Sequence, residues 1–366
     1  RDYVRYASFF QSFADWGAFG MGDGDSPVTF NGRVMSVLSG ERFSDVLLTQ
    51  RGRRPEVYSV VPYNASYVIT LPLTSFGDYI NAYTAYIAAD GRKKDYDYIN
   101  ASLPGDVSSK AFAESLKLGE VAVFSLDTDG GRKILALKCG DLTPLGGTPS
   151  PVQDFRFKGY IPSLLGNVFR PSSEECFCVS GNWVLIGGRE EITGLHSQLV
   201  SGQMFTLEDY LSQTPAAGEL REISALSIMI NAGRYGARMA EYFKEPYSKT
   251  VAGMTGSRNF EFAVLNMCKV GDVLGVRTSI YSEDLASLPQ PSGVEDGQVQ
   301  AVVEDIPVAV PGGPFKVRNF IDGSDNWLEQ LSNYDIRLLN SSRRPVSLTK
   351  LRDDSCAGKP SPCPTQ

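Results

Sequence analysis

One pattern constrains this chain more than any other. An apolar strand, an amphipathic helix and a β-hairpin follow one another, and the same order occurs twice. The first run extends from about Ser66 to Cys139 and the second from about Ser224 to Ile280. In the first, Tyr67 to Leu71 is β-rich and apolar, and Ser75 is placed to cap a helix, with Asp78 three residues on. Phe76, Ile80, Tyr83 and Ile87 share one face of that helix, and Gly91 supplies its stop. A second short helix is expected from Ser108 to Leu116. Glu120 to Leu126 and Arg132 to Leu137 then flank an Asp127-Thr-Asp-Gly-Gly131 turn, which reads as a hairpin. In the second run, Ala225 to Asn231 is the strand. Tyr235, Met239, Tyr242 and Phe243 form a helix face that Pro246 stops or kinks. Asn259 to Met267 and Val273 to Ile280 form the hairpin around Gly271-Asp272.

The remaining segments read as follows. Tyr6, Phe9, Phe10 and Phe13 recur at helical spacing and predict a helix over Tyr3 to Phe19. A turn at residues 21–27, a short strand at Val28 to Phe30 and a tight turn at Asn31-Gly32 are expected next. Phe43 to Gln50 is expected as a short helix and Thr143 to Pro151 as a loop. Further helices are expected at Ile161 to Phe169, at Glu190 to Val200 (burying Ile192, Leu195 and Leu199), and from the Thr206 cap to Ser212. Glu175 to Val179 and Trp183 to Ile186 form a hairpin around Gly181-Asn182. Ser282 to Gly297 is acidic and rich in Pro and Ser, a linker composition. Short strands follow near 299–303, 315–320, 327–331, 336–339 and 346–350. The expected organisation is 1–215 as a first α+β unit, 216–285 as a second, and 298–351 as a β-rich segment.

At 366 residues, with 42% hydrophobic and 21% charged residues, the chain buries a sizeable core. Its seventeen Tyr and nineteen Phe argue against disorder. A net charge of −7 disfavours nucleic acid, which needs clustered cations. Arg51/Arg53/Arg54, Lys93/Lys94 and Arg343/Arg344 are scattered, as solvated loops are. No stretch approaches the roughly 20 apolar residues of a membrane span. The chain starts at Arg1, so a leader or N-terminal anchor outside this sequence is expected.

The chemistry-bearing residues form no recognised site. His196 is the single histidine and lies on an amphipathic helix, where a surface position is the simplest account. Cys176-x-Cys178 lacks zinc spacing, and the two share a strand face, where they are poorly placed to bond each other. Cys356 and Cys363 flank a loop that a local disulfide would close; Cys139 and Cys268 read as buried thiols. Ser324-Asp-Asn326 and Ser347-Leu-Thr-Lys350 match two β-lactamase elements, but in reversed order and without K-T-G. Asp23-Gly-Asp25 and Asp127-Thr-Asp129 do not complete a calcium loop. Gly146-Gly147 and Gly312-Gly313 match no phosphate loop. Glu174/Glu175 and Glu190/Glu191 are adjacent in sequence, so their side chains diverge. Asn64, Asn100 and Asn340 head N-x-S sequons. No catalytic, cofactor or metal residue is therefore assigned.

The passage Val61-Pro-Tyr-Asn-Ala-Ser-Tyr-Val-Ile-Thr-Leu71 with its following helix, and Asn182-Trp-Val-Leu-Ile-Gly-Gly-Arg189 leading into another, resemble the recurring unit of a family of uncharacterised bacterial envelope proteins. The likeness is one of layout and runs from about Phe13 to Ile280. It implies an extracytoplasmic place (periplasmic or at the cell surface), often behind an N-terminal anchor, sometimes with a β-rich domain downstream. No activity is established for that family, so no functional residue is carried over.

The expectation is an α+β protein of two related units, each with helices on one face of a largely antiparallel sheet. The leading functional expectation is a non-enzymatic envelope scaffold or binding module for an envelope protein or a glycan. Its aromatics would pack the core or line a groove between the units. The alternatives are a carboxylate-based glycan hydrolase and a partner-binding subunit that uses exposed strand edges.

Overall fold

The structure is a computed structural model. It describes residues 12–22, 27–37, 40–126, 131–146, 151–212, 216–231 and 262–281, isolated residues between 240 and 252, and 315–318, 325–330, 336–340, 342 and 345–349. The chain forms two compact units, Arg1–Val294 and Glu295–Gln366.

The first unit is built on one eleven-stranded sheet. Its strands are β1 (Trp16–Met21), β2 (Val28–Met35), β3 (Tyr67–Pro72), β4 (Leu118–Ser125), β5 (Lys133–Cys139), β6 (Val152–Asp154), β7 (Cys176–Ser180), β8 (Trp183–Gly187), β9 (Leu226–Asn231), β10 (Phe262–Val270) and β11 (Val273–Tyr281). Its helices are α1 (Phe43–Leu48), α2 (Phe76–Ala89), α3 (Lys93–Ala101), α4 (Ser109–Ser115), α5 (Tyr160–Leu165), α6 (Arg189–Val200), α7 (Leu207–Leu211) and α8 (Ala216–Leu220).

The strand order is β1-β2-β11-β10-β9-β3-β4-β5-β8-β7-β6, and the pairings within it are antiparallel. Its centre reads the same outward in both directions. β3 is followed by the β4–β5 hairpin on one side and β9 by the β10–β11 hairpin on the other. β3 and β9 pair directly, from Tyr67 opposite Ile230 to Thr70 opposite Ser227. The junction between the two expected units is therefore a hydrogen-bonded strand pair. Strands from segments 1–215 and 216–285 lie in the same sheet.

Alternation along the strands sorts the core into two layers. On one face Leu71, Val121, Val123, Leu135 and Leu137 pack with Tyr79, Ile80, Tyr83 and Ile87 of α2, Phe112 of α4 and Leu164 of α5. On the other, Val68, Ala122, Phe124, Ile134, Leu185, Met229 and Val264 pack with Ile192 and Leu195 of α6 and Leu207 of α7. The single helical face expected from sequence is thus replaced by helices on both faces. β4 is buried on both sides for this reason, and its Val-Ala-Val-Phe run is continuously apolar.

Local chemistry explains the boundaries. Ser75 accepts a hydrogen bond from the Asp78 N–H and caps α2, and Ser108 caps α4 through the Ala111 N–H. Thr206 and Asp209 form a reciprocal capping box at α7. The β7–β8 and β10–β11 turns place Gly181 at φ +60° and Gly271 at φ +63°.

Several elements differ from expectation, among them β6 and α8, which lie where no element was expected. Residues 12 and 13 are helical and Phe13 is buried beside Phe43, but from Trp16 onward the chain is strand β1; Tyr3 to Gln11 lie outside the described residues. Asn31-Gly32 is not a turn: it runs through the middle of β2, with Gly32 opposite Phe19. A Cβ at Gly32 would run into the Phe19 ring and the Ala18 carbonyl oxygen, so glycine serves here for close approach. α3 was not expected; none of its residues is buried, so no apolar stripe marks it. The expected helix over Tyr235–Phe243, the Asp127–Gly130 turn, the Ser282–Gly297 linker and the strand near 299–303 fall largely or wholly outside the described residues.

The second unit contains a four-stranded antiparallel meander of β12 (Phe315–Arg318), β13 (Asp325–Gln330), β14 (Ile336–Leu339) and β15 (Pro345–Thr349). The all-β character expected of this segment is present in these strands.

Candidate functional site

Two features of the sheet stand apart from ordinary packing: a polar row across its α6/α7 face, and the strand at one edge. The row follows from register. Asn31, Arg277, Asn266, Ser227 and Thr70 occupy directly paired positions on β2, β11, β10, β9 and β3. Paired residues point to the same face, so these five polar side chains lie in one row across that layer.

At the β4 end the row closes on Glu120, which is 2% exposed. Its Oε1 accepts from the Thr70 hydroxyl (2.6 Å) and the Val57 N–H (3.2 Å), and its Oε2 from the Glu56 N–H (2.9 Å). Burial pushes this carboxyl above its ordinary range, and the three donors pull it partly back. Tyr58, fully buried, shares a hydrogen with Ser227 over 3.2 Å, and burial raises its phenol. Every oxygen of Glu120 is occupied. The group pins residues 56 and 57 to the sheet and is closed to substrate.

At the β11 end Arg277 Nη2 meets Glu219 Oε1 of α8 at 2.8 Å, and Nη1 meets Glu222 Oε1 at 3.1 Å. Asn266 Nδ2 donates to the Glu219 carbonyl at 2.8 Å. Burial raises the Glu222 carboxyl, with Arg277 opposing the shift. Glu219 Oε2, Asn266 Oδ1, Arg277 Nε and Ser279 Oγ are buried without a partner. One guanidinium serves two carboxylates, an arrangement that offsets part of their charge and anchors α8.

The edge strand is different in kind. All six residues of β1, Trp-Gly-Ala-Phe-Gly-Met, are exposed, and none is charged. Trp16 is 49%, Phe19 58% and Met21 71% exposed. The Gly22 N–H donates to the Thr29 carbonyl at 2.8 Å, which marks residues 22, 20, 18 and 16 as the hydrogen-bonded positions against β2. Gly17, Phe19 and Met21 consequently aim their N–H and C=O groups away from the sheet. The opposite edge, β6, has three residues, and its Asp154 is ion-paired with Arg189, which also holds Glu175 at 3.0 Å. That edge is short and charged; β1 is longer and apolar.

The residues weighed from sequence do not converge on either feature. His196 lies half-buried on α6. Cys176 and Cys178 are buried, unbonded thiols on β7, and Cys139 and Cys268 are likewise free. Burial raises the thiols of Cys139 and Cys178 to about 12, which removes nucleophilic character at neutral pH. Glu174 accepts from the Gly159 N–H at 2.7 Å while Glu175 turns to Arg189, so this pair does diverge. Glu190 and Glu191 sit in the first turn of α6. Asn100 is half-buried, its amide donating to the Tyr96 and Ser163 carbonyls and its Oδ1 accepting from the Ser109 hydroxyl, and Asn340 accepts from the Ser342 N–H. Ser347 lies in strand β15, without the helix start that a reactive serine needs. Cys356, Cys363, Ser324, Lys350, Asp23, Asp25, Asp127, Asp129, Gly312 and Gly313 lie outside the described residues. Among the described residues no three His, Cys, Asp or Glu side chains are placed to hold a metal ion. No helix among them is long and apolar enough to cross a membrane.

Comparison of the chain with protein-family models, with curated proteins and with solved structures finds no match.

Proposed function

We propose that this chain is a non-enzymatic binding module that engages a partner through the β1 edge of its large sheet. The observation that carries the reading is the edge itself: six exposed, uncharged residues with three N–H and three C=O groups directed outward. An extended segment laid against such an edge gains a main-chain ladder, and its side chains find Phe19 and Met21 on one face and Trp16 on the other. The short, ion-paired β6 edge supports the assignment of binding to β1. The buried carboxylates support the non-enzymatic part, since Glu120 accepts three protein donors and Glu219 shares Arg277 with Glu222. An extracytoplasmic location within the cell envelope belongs to the same proposal. It rests on the strand-into-helix layout of Val61–Leu71 and Asn182–Arg189.

Photo-crosslinking tests the reading. A photoreactive residue replaces Phe19 or, as a control, the exposed Tyr98 of α3, in the native cells. A discrete adduct from position 19 and none from position 98 is expected. Equal labelling from both sites, or none from either, would remove the edge as a binding site.

A further inference from the structure

The β1 edge is complementary to itself. We infer that its partner is a second copy of this chain, paired antiparallel through β1 about a two-fold axis at Phe19; the inference rests on the edge-binding reading above.

Hydrogen-bond inventory selects the register. Gly17, Phe19 and Met21 carry the outward N–H and C=O groups. These three positions are symmetric about Phe19. Antiparallel pairing of Phe19 with Phe19 of the second copy sets Gly17 opposite Met21 and Met21 opposite Gly17, and every outward donor and acceptor of the three finds a partner. Moving the axis by one residue leaves outward groups at one end of each strand unpaired.

Side-chain size selects the same register. With the axis at Phe19, Trp16 faces Gly22, Gly17 faces Met21, and Ala18 faces Gly20. Each large side chain other than Phe19 meets a glycine, and the two phenyl rings meet each other near the axis, a favourable cross-strand pair. No charge within the strand opposes the pairing. Within the large sheet the contact closes after two copies, because its remaining edge is the short β6, guarded by the Asp154–Arg189 ion pair. The product is one sheet running through both molecules.

The interface is small and largely main-chain, so association is reversible. Each copy carries a net charge of −7, and added salt screens the repulsion and strengthens the pair.

Sedimentation equilibrium on the full chain over a wide concentration range is the primary test. The expected result is a mass that rises from one chain to two and stops there, more readily at higher salt. Phe19→Lys sets two ammonium groups face to face and is expected to weaken the dimer by about tenfold or more, leaving the circular dichroism spectrum unchanged. Phe19→Pro deletes the central donor and is expected to act in the same direction. Register is read separately: under mild oxidation Phe19→Cys should link two chains, since the two positions face each other, whereas Met21→Cys should link no faster than the parent chain. A mass of one chain at every concentration, or equal linking by the two cysteine variants, overturns the proposal. A position-19 photo-adduct with a different protein, from a chain that is monomeric in solution, overturns self-pairing while retaining the edge as a binding site. Absence of any adduct overturns both.

Discussion

The Thr70 hydroxyl donates to Glu120 Oε1 over 2.6 Å, across the β3–β4 pair at the middle of the sheet. The carboxylate also accepts the Glu56 and Val57 N–H groups, so one buried side chain ties the segment before the 57–59 turn to the sheet. Glu120→Gln presents an amide N–H₂ to at least one of these donors and should lower stability by about 1–3 kcal/mol, measured by urea denaturation.

The same residue carries a pH signature. Its folded-state carboxyl is raised by burial, so the folded chain holds this proton at a higher pH than the unfolded chain does. The resulting stabilisation is complete below the ordinary glutamate range and is lost as pH rises through the raised folded value. The stability advantage of the parent chain over Glu120→Gln should therefore shrink as pH is raised from about 4. An advantage that grows with pH would mean that the three hydrogen bonds outweigh burial.

Tyr79 offers the opposite sign. It is fully buried on α2, its ring stacks on Tyr83 at 5.9 Å, and its hydroxyl has no hydrogen-bond partner. Tyr79→Phe removes the stranded hydroxyl and leaves the ring contacts, so it should stabilise the chain by about 1 kcal/mol. The check is a higher denaturant midpoint at unchanged slope.

Arg277 is shared between the buried Glu219 and the partly buried Glu222. Arg277→Met should cost about 2–4 kcal/mol, because it leaves Glu219 buried and uncompensated. Combining it with Glu219→Gln should recover part of that loss. A double variant as unstable as the sum of the two single changes would show that the pair does not couple.

Gly32 lies opposite Phe19 in a non-hydrogen-bonded pair, where the two strands approach most closely. Gly32→Ala must displace the Phe19 ring and the Ala18 carbonyl, at a cost of about 1–2 kcal/mol. Hydrogen exchange should accelerate in β1 and β2, with α2 and β4 unaffected.

Much of the local structure was legible because it rests on near neighbours. Ser75 and Asp78, Thr206 and Asp209, and the glycines at 181 and 271 are short-range devices, and the elements they bound form where the spacing predicts. The aromatic spacing that ends at Phe13 predicts a helix where β1 runs, because it continues toward Trp16. Gly17 and Gly20, poor in a helix interior, were the available signal against it. Asn31-Gly32 carries strong turn chemistry, yet its neighbours on both sides, β1 and β11, hold it extended. α3 carries no such signal: none of its residues is fully buried, only Tyr96 packs against the core, and no apolar period results.

The sequence by itself determined the helix caps at Ser75 and Thr206 and the hairpin turns at Gly181 and Gly271, since those depend on residues a few positions apart. Only the tertiary structure decided that β3 and β9 meet at the centre of one sheet, that helices cover both of its faces, and that β1 is left at an apolar edge. It also decided that Glu120 is buried among donors from residues 56, 57 and 70. These outcomes depend on pairings across 50 or more positions, such as Thr70 with Glu120. Local periodicity carries no record of which strand will lie beside which.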